Sequence, residues 1–438
     1  MSTRTAPPAT ARRIAGLALP ALVVLAAEPL YVLVDTAVVG HLGRVPLAAL
    51  AIGGTVMTIV AWLGTVLAYG TTGRSARRFG AGDRSAAVAE GVQTSWLALI
   101  AGLAVAVGMQ LSAGPVAHIL AGGGEVADAA AGWLRIAALG APGLLLAAAG
   151  NGWLRGVQDA RRPLYYVLGA NALSAVLCPL LVYAAGLGLT GSAIANVAAQ
   201  TLSGALFVYA LVAERVPVRP RRDLLFQHLV VGRDLLVRGA AFQASFLSAT
   251  AVAARFGTAT VAAHQIALQL WFFTALALDA IAIAAQSLVG AALGAGDAAN
   301  ARRIAHQIAM AGGVCGMAFA VLIGAGAGTV PGWFTGDPQV QDRAMVAWWW
   351  FVGMQPLAGV VFALDGVFIG AGDVRYLRNL TIVAALGCFL PAIWAAYVFD
   401  LGLGGIWAGL TLFVVVRLIG LLLRLRSTGW AVVGASRG

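Results

Sequence analysis

Gly80-Ala81-Gly82-Asp83 closes a long apolar run, and 214 residues later the same four residues return as Gly294-Ala295-Gly296-Asp297. The same offset carries Gly156-Val157-Gln158-Asp159 onto Gly370-Ala371-Gly372-Asp373, Leu42-Gly43 onto Phe256-Gly257, and Gly188-Leu189 onto Gly402-Leu403. Four loop regions sharing one spacing mark an internal repeat of half the chain. Between these turns lie apolar stretches of about 20 residues or more, each long enough to cross a bilayer as a helix. Charged or Gly/Pro-rich breaks define twelve of them, at roughly 14–40, 46–72, 86–112, 128–150, 162–186, 190–213, 236–256, 260–288, 303–330, 344–370, 376–400 and 403–424. Six spans per half is an even number, so both copies enter the membrane in the same sense. The fold expected is an all-α polytopic membrane protein, with twelve transmembrane helices in two six-helix bundles related by a parallel internal repeat. Residues 1–213 form the N-terminal bundle, 214–235 a polar cytoplasmic linker holding Pro217 and Pro220, and 236–438 the C-terminal bundle. This is a transporter's architecture, with substrate expected between bundles that rock to expose it to each side in turn.

Composition agrees. Of 438 residues, 61% are apolar and only 10% charged, a balance outside that of soluble domains. The net charge of +11 comes from 28 arginines and no lysine. All but Arg44, Arg135, Arg255 and Arg343 fall on one side of the predicted spans. By the positive-inside rule both termini are cytoplasmic and the protein is a multi-pass component of the cell's inner (plasma) membrane. The basic balance is thus a topology signal, and nucleic-acid binding is not needed to explain it. Cys178, Cys315 and Cys388 lie in apolar stretches without a pairing pattern. The basic N-terminus is followed by Glu28, Pro29 and Asp35 with no small-residue cleavage site, so no cleaved signal peptide is expected. There is no P-loop, no metal-ligand cluster and no nucleophile elbow, which sets an enzyme aside and leaves no cofactor to expect. No feature demands more than a monomer.

In such a chain the informative residues are polar groups at membrane depth, because an ionisable side chain at a helix centre costs about 2.5 to 3.5 kcal/mol on insertion scales. Four acids qualify: Glu28 and Asp35 in the first span, Asp279 in the eighth and Asp365 in the tenth. Glu28 and Asp35 are seven residues apart, on one helical face, with Pro29 beside the first. A carboxylate near a proline hinge suits proton coupling, since gain or loss of the proton can select between two helix geometries. Asp279 and Asp365 are candidates for substrate or ion binding, or for pairing with an amide such as Gln286. Asn151, Asn171, Ser174, Asn196 and Gln265 are candidate cavity-lining groups, with helix-to-helix hydrogen bonding as the competing role. His264 reads as interfacial, and Trp348-Trp349-Trp350 as part of an aromatic belt.

Four stretches together resemble the multidrug and toxic compound extrusion (MATE) family, in its DNA-damage-inducible protein F branch. They are Glu28-Pro29-Leu30-Tyr31-Val32-Leu33-Val34-Asp35-Thr36-Ala37-Val38-Val39-Gly40, Leu154-Arg155-Gly156-Val157-Gln158-Asp159, the run from Asp279-Ala280-Ile281 to Gln286-Ser287-Leu288-Val289-Gly290, and Leu364-Asp365-Gly366-Val367-Phe368-Ile369-Gly370-Ala371-Gly372-Asp373. The resemblance implies antiport of small organic, often cationic or amphipathic, compounds outward against protons or sodium ions, that is, multidrug or xenobiotic efflux. It also implies that Asp35 is the proton-coupling residue, with protonation bending the first helix and displacing cargo. Where many relatives carry an asparagine and then an aspartate in the fifth helix, this chain has Ser174 and Cys178; Asn196 matches the sixth-helix amide. Loss of that second carboxylate favours a proton gradient over a sodium gradient. The offset places Ala249 opposite Asp35, so coupling is expected in the first half only. The alternatives are a lipid-linked oligosaccharide or other metabolite flippase of the same superfamily, a major-facilitator transporter and a channel. The flippase is disfavoured because the deep ionisable groups read as acids and not as bases.

Overall fold

A computed structural model describes residues 11–436. Within them are twelve helices long and apolar enough to span a membrane, and no strand: α1 (Ala11–Gly40), α2 (Arg44–Gly80), α3 (Arg84–Ala121), α4 (Glu125–Gly156), α5 (Arg161–Ala184), α6 (Gly188–Ala213), α7 (Arg222–Arg255), α8 (Thr258–Gly294), α9 (Ala298–Ala325), α10 (Pro338–Gly370), α11 (Val374–Val398) and α12 (Gly402–Arg426). A one-turn helix at Val330–Phe334 precedes α10. All twelve predicted spans are present, and α2 and α8 begin and end 214 residues apart at both termini.

The repeated Gly-Ala-Gly-Asp turn has a physical reading. Each helix ends at its first glycine, and the second takes a left-handed backbone, φ +85° at Gly82 and +82° at Gly296. Only glycine enters that region without a Cβ penalty. The Asp83 and Asp297 amides then reach back to the carbonyls of Arg78 and Ala292 at 3.1 and 3.0 Å. Their carboxylates cap the next helix, accepting from the Ala86 amide at 2.8 Å and the Asn300 amide at 2.9 Å. The Ala86 amide and the Ser85 hydroxyl hold the Asp83 carboxyl below its ordinary value. Helix stop, turn and helix start are thus encoded in four residues.

The chain forms two compact units. One is Leu19–Gly232; the other is Arg233–Gly438 together with the stretch up to Ala18. Within the first, the Ala141–Gly156 half of α4 packs against α2, α3 and α6; within the second, α10 packs against α8, α9 and α12. Glycines permit the closest approach. A Cβ on Gly152 would lie 2.8 Å from the Ala68 carbonyl oxygen of α2, and one on Gly370 would lie 2.5 Å from the Gln286 carbonyl oxygen of α8. Small residues at such crossings let membrane helices gain dispersion contact where water supplies no hydrophobic drive.

The seventh span departs from expectation. It begins at Arg222, inside the stretch 214–235 read as linker, and the division between units falls within α7 at Gly232 and within α1 at Ala18. Pro217 and Pro220 keep only the residues before Arg222 out of the helix. Beyond them Leu224 and His228, four apart, bury one face of a polar-looking segment.

Candidate functional site

Pro29 sits inside α1, removing one backbone donor from the helix ladder and freeing the carbonyl of Leu25. Beside that interruption the Leu19–Gly232 unit encloses a cavity of about 430 Å³. Its polar lining comes from α1 (Glu28, Tyr31, Asp35, Thr36), α2 (Thr58, Thr65, Tyr69), α4 (Asn151, Arg155), α5 (Asn171) and α6 (Asn196, Gln200, Ser203). Apolar and small residues of α2, among them Leu50, Gly54 and Met57, complete the wall. The volume lies within the range of small-molecule sites.

Asp35 is 4% exposed and accepts a hydrogen bond from the Cys178 thiol, 3.1 Å from Oδ1. Cys178 is the last residue but one of the regular part of α5. After Pro179 the helix widens into a π-helical turn at Leu180–Ala184, and Tyr183 in that turn donates to the Val38 carbonyl of α1. Such turns arise where a helix accommodates a local demand on its register. Ser174, one turn before Cys178, donates to the Ala195 carbonyl of α6 at 3.2 Å and does not line the cavity. The Asn196 amide donates to the Tyr31 hydroxyl at 3.4 Å. Asn151 donates to Ala147 at 3.1 Å, while its Oδ1 and those of Asn196 (Oδ1) and Gln200 (Oε1) are buried without a hydrogen-bond partner. Unpartnered buried acceptors on cavity-lining residues are costly, and a donor on a bound molecule is one way to satisfy them.

Five of the predicted residues thus line one cavity: Glu28, Asp35, Asn151, Asn171 and Asn196. Cys178 joins them through Asp35. Gln265, Asp279 and Asp365 belong to the other unit and do not contribute to this cavity. Gln265 is exposed and Asp279 half-buried on α8. Asp365 is not paired with Gln286: Arg417 Nη2 reaches its two oxygens at 2.5 and 2.6 Å, and Arg238 Nη2 reaches Oδ2 at 2.5 Å. Sequence counting had placed both arginines among the topology-setting basic residues. They stand within α7 and α12, and Arg417 is 3% exposed.

Three comparisons bear on this arrangement. A family model described as MatE matches residues 20–180 and again 235–394, once in each half. The chain belongs to the MatE family. It is 33% identical over 421 residues to Protein DETOXIFICATION 44, chloroplastic, of Arabidopsis thaliana, covering 93% of this chain and 80% of the relative. It is 32% identical over 411 residues to DNA damage-inducible protein F of Escherichia coli, covering 92% and 89%. A probable multidrug resistance protein NorM of Bradyrhizobium diazoefficiens is 29% identical over 450 residues, covering 95% and 93%. Among solved structures, MATE in the bent conformation superposes with a TM-score of 0.88 at 24% identity, over 94% of this chain and 95% of that one. An outward-facing multidrug resistance MATE transporter superposes with a TM-score of 0.86 at 24% identity, over 95% and 97%.

MatE proteins are multidrug efflux transporters of small organic compounds, so the transporter reading stands and the enzyme reading falls away. This MatE chain also holds a polar cluster that sequence reading passed over. Glu90, 2% exposed near the start of α3, pairs with Arg74 at 2.8 Å, Arg78 at 3.4 Å and His228 Nε2 at 2.9 Å. Thr94 bridges His228 Nδ1 at 3.3 Å to Thr71 at 2.8 Å. Glu90 lies six residues into α3, near the end of a span and not at its centre, so a search for acids at membrane depth passes it by. His264, read as interfacial, is buried against Trp407 with both ring nitrogens unpartnered. Trp349 and Trp350 are exposed as a belt requires, whereas Trp348 is in the core and donates to the Ile323 carbonyl at 3.1 Å.

Proposed function

We propose that this MatE protein is a proton-coupled antiporter that exports small organic, cationic or amphipathic compounds from the cytoplasm by alternating access, with Asp35 as the coupling carboxylate. It works in the cell's inner membrane with both termini cytoplasmic. The observation carrying the proposal is the placement of Asp35: a buried carboxylate on a proline-interrupted helix, at the wall of a drug-sized cavity, held by a thiol.

A charged carboxylate in such a place needs partners, and a cationic cargo supplies one; a proton supplies another. Binding of either relieves the need for the other, which is the competition that antiport requires. Pro29 lets α1 answer the change in charge by a change in bend at little cost in hydrogen bonds. Cys178 supports the proton as the coupling ion. Sodium is a hard cation that takes oxygen ligands, whereas a thiol donating a hydrogen bond to the carboxylate occupies that oxygen and offers only soft sulfur. Glu28 and the unpartnered amide oxygens then orient the cargo.

The test is efflux of a lipophilic cation from proteoliposomes under an imposed pH gradient and, separately, an imposed sodium gradient. The parent is expected to move the cation under the pH gradient alone, and a folded Asp35→Asn protein to lose that transport at least tenfold. Undiminished pH-driven transport by Asp35→Asn would move the coupling site elsewhere, and sodium-driven transport by the parent would replace the coupling ion.

A further inference from the structure

The two units place different chemistry at matching positions. The 214-residue offset carries Val24, Glu28, Asn151 and Ser203, all of which line the cavity of the first unit, onto Arg238, Phe242, Asp365 and Arg417. In the second unit these four side chains form one cluster. Asp365 lies between the two guanidinium groups, which stand over the Phe242 ring at 5.6 and 5.1 Å from its centroid, and Arg417 also lies 5.5 Å from the Phe413 centroid. One carboxylate between two guanidinium groups leaves the cluster with one positive charge over. Each arginine spends only its Nη2 on Asp365, and the Nε of both is buried with no hydrogen-bond partner. A surplus cation with idle donors in an apolar setting is costly unless an anion completes it.

We infer that Arg238, Arg417 and Asp365 form a subsite of the C-terminal unit for an anionic group, a carboxylate, sulfonate or phosphate, carried on an apolar body that packs against Phe242 and Phe413. Guanidinium forks match such planar or tetrahedral oxyanions through paired N–H donors. Asp365 sets the strength of the site: it orients both forks while cancelling one of their two charges, so that the anion binds and also leaves. The inference deepens the transporter reading, because it adds an acidic group to the cargo this protein accepts, and the polarity is opposite to that of the Glu28 and Asp35 side of the first unit. A bound phosphate has two sources, a lipid headgroup or a free amphipathic anion.

The test measures binding without any gradient, so that it stands or falls apart from proton coupling. Full-length protein in nanodiscs of phosphatidylcholine is titrated calorimetrically with naphthalene-2-sulfonate, its neutral isostere naphthalene-2-sulfonamide, and tetraphenylphosphonium. The parent is expected to hold the sulfonate about tenfold more tightly than the sulfonamide, the scale of a charge-assisted hydrogen bond. Arg238→Gln leaves the Arg417–Asp365 pair neutral and is expected to erase that difference while changing tetraphenylphosphonium binding less than twofold. Arg238→Lys, which keeps the charge, retains most of it. Asp365→Asn, wherever its thermal transition shows it folded, binds the sulfonate several-fold more tightly, an effect that a purely structural ion cluster would not produce. Repeating the titration in discs containing phosphatidylglycerol separates the sources: competition in the parent but not in Arg238→Gln assigns the site to lipid phosphate, and its absence to free anions. Equal affinity of the parent for sulfonate and sulfonamide, no binding of either, or an Arg238→Gln protein indistinguishable from the parent overturns the inference.

Discussion

Asp365→Asn should be among the most destabilising single changes in the chain. The carboxylate is 8% exposed and Arg417 3%, so the substitution strands a guanidinium in a place that water scarcely reaches. Breaking a buried pair by removing one partner costs about 3 to 5 kcal/mol, mostly the desolvation of the charge left behind. At 1.4 kcal/mol per decade, that is a loss of more than a hundredfold in the folding equilibrium. Arg238 offsets little of this, since it carries the same sign and is itself only 13% exposed. The double variant Asp365→Asn/Arg417→Gln removes the more deeply buried of the two stranded charges and leaves Arg238, so it should recover part of the loss, with a coupling energy of about 1 to 3 kcal/mol, within the range for residues in contact. Reversible unfolding in mixed micelles, followed by circular dichroism for parent, both single variants and the double, gives the four corners. An Asp365→Asn protein within about 1 kcal/mol of the parent would mean that the pair behaves as a solvated surface bridge, and the argument from dry burial would fail.

Two further changes probe the helix packing and the cavity. Gly366→Ala drives a Cβ into the Ala282 backbone, and should cost about 1 to 3 kcal/mol in the same unfolding assay; Gly387→Ala, with open space at its Cβ, should be neutral or slightly stabilising. Ala199→Phe places an aromatic ring at the wall of the 430 Å³ cavity, at the position the offset matches to Phe413, and should weaken binding of a lipophilic cation about tenfold or more while leaving the unfolding transition near that of the parent. Unchanged cation affinity would place the cargo outside this cavity.

The fold was legible because its determinants are local. Apolar length, arginine-rich breaks and the four-residue glycine turns each act within one helix or one loop, and the twelve spans follow from them. The start of α7 was obscured because a segment with Arg222, Asp223, Arg233 and Asp234 buries only a narrow face, through Leu224 and His228. In the site, Asp35 was visible as an acid where acids are expensive, and Cys178 emerged only through a family resemblance, since 143 residues separate the two. The acid at 365 was visible for the same reason, but its partners were not. Arg238 is 127 residues earlier and Arg417 52 later; Arg238 lies two residues inside a predicted helix end, where a basic residue passes for a topology signal, and Arg417 was absorbed into the same one-sided count although it stands seven residues inside its span. Contacts between helices distant in sequence are what a single sequence leaves out.

The offset separates what the two halves share from what distinguishes them. Shared are the backbone devices: left-handed glycines at 82 and 296, capping aspartates at 83 and 297, and the glycine crossings of α4 on α2 and α10 on α8. These fix helix ends and spacing, so a change in either copy costs stability at once. The inward side chains are under no such common constraint. In the second unit Phe242, Phe246, Phe389 and Phe413 pack ring to ring at 5.2 to 6.5 Å. The offset matches them to Glu28, Val32, Ala175 and Ala199, of which all but Ala175 line the cavity. At three of these four positions the first unit thus has cavity wall where the second has an aromatic ring. The same exchange sets charge: where the first unit has Glu28 and Asp35, the second has Phe242 and Ala249, and where the first has the neutral Asn151 and Ser203, the second has Asp365 and Arg417. One backbone plan thus holds an acid-bearing chamber in one copy and an arginine- and aromatic-rich cluster in the other, and the chemistry of each is decided by side chains that the packing of its helices leaves free to vary.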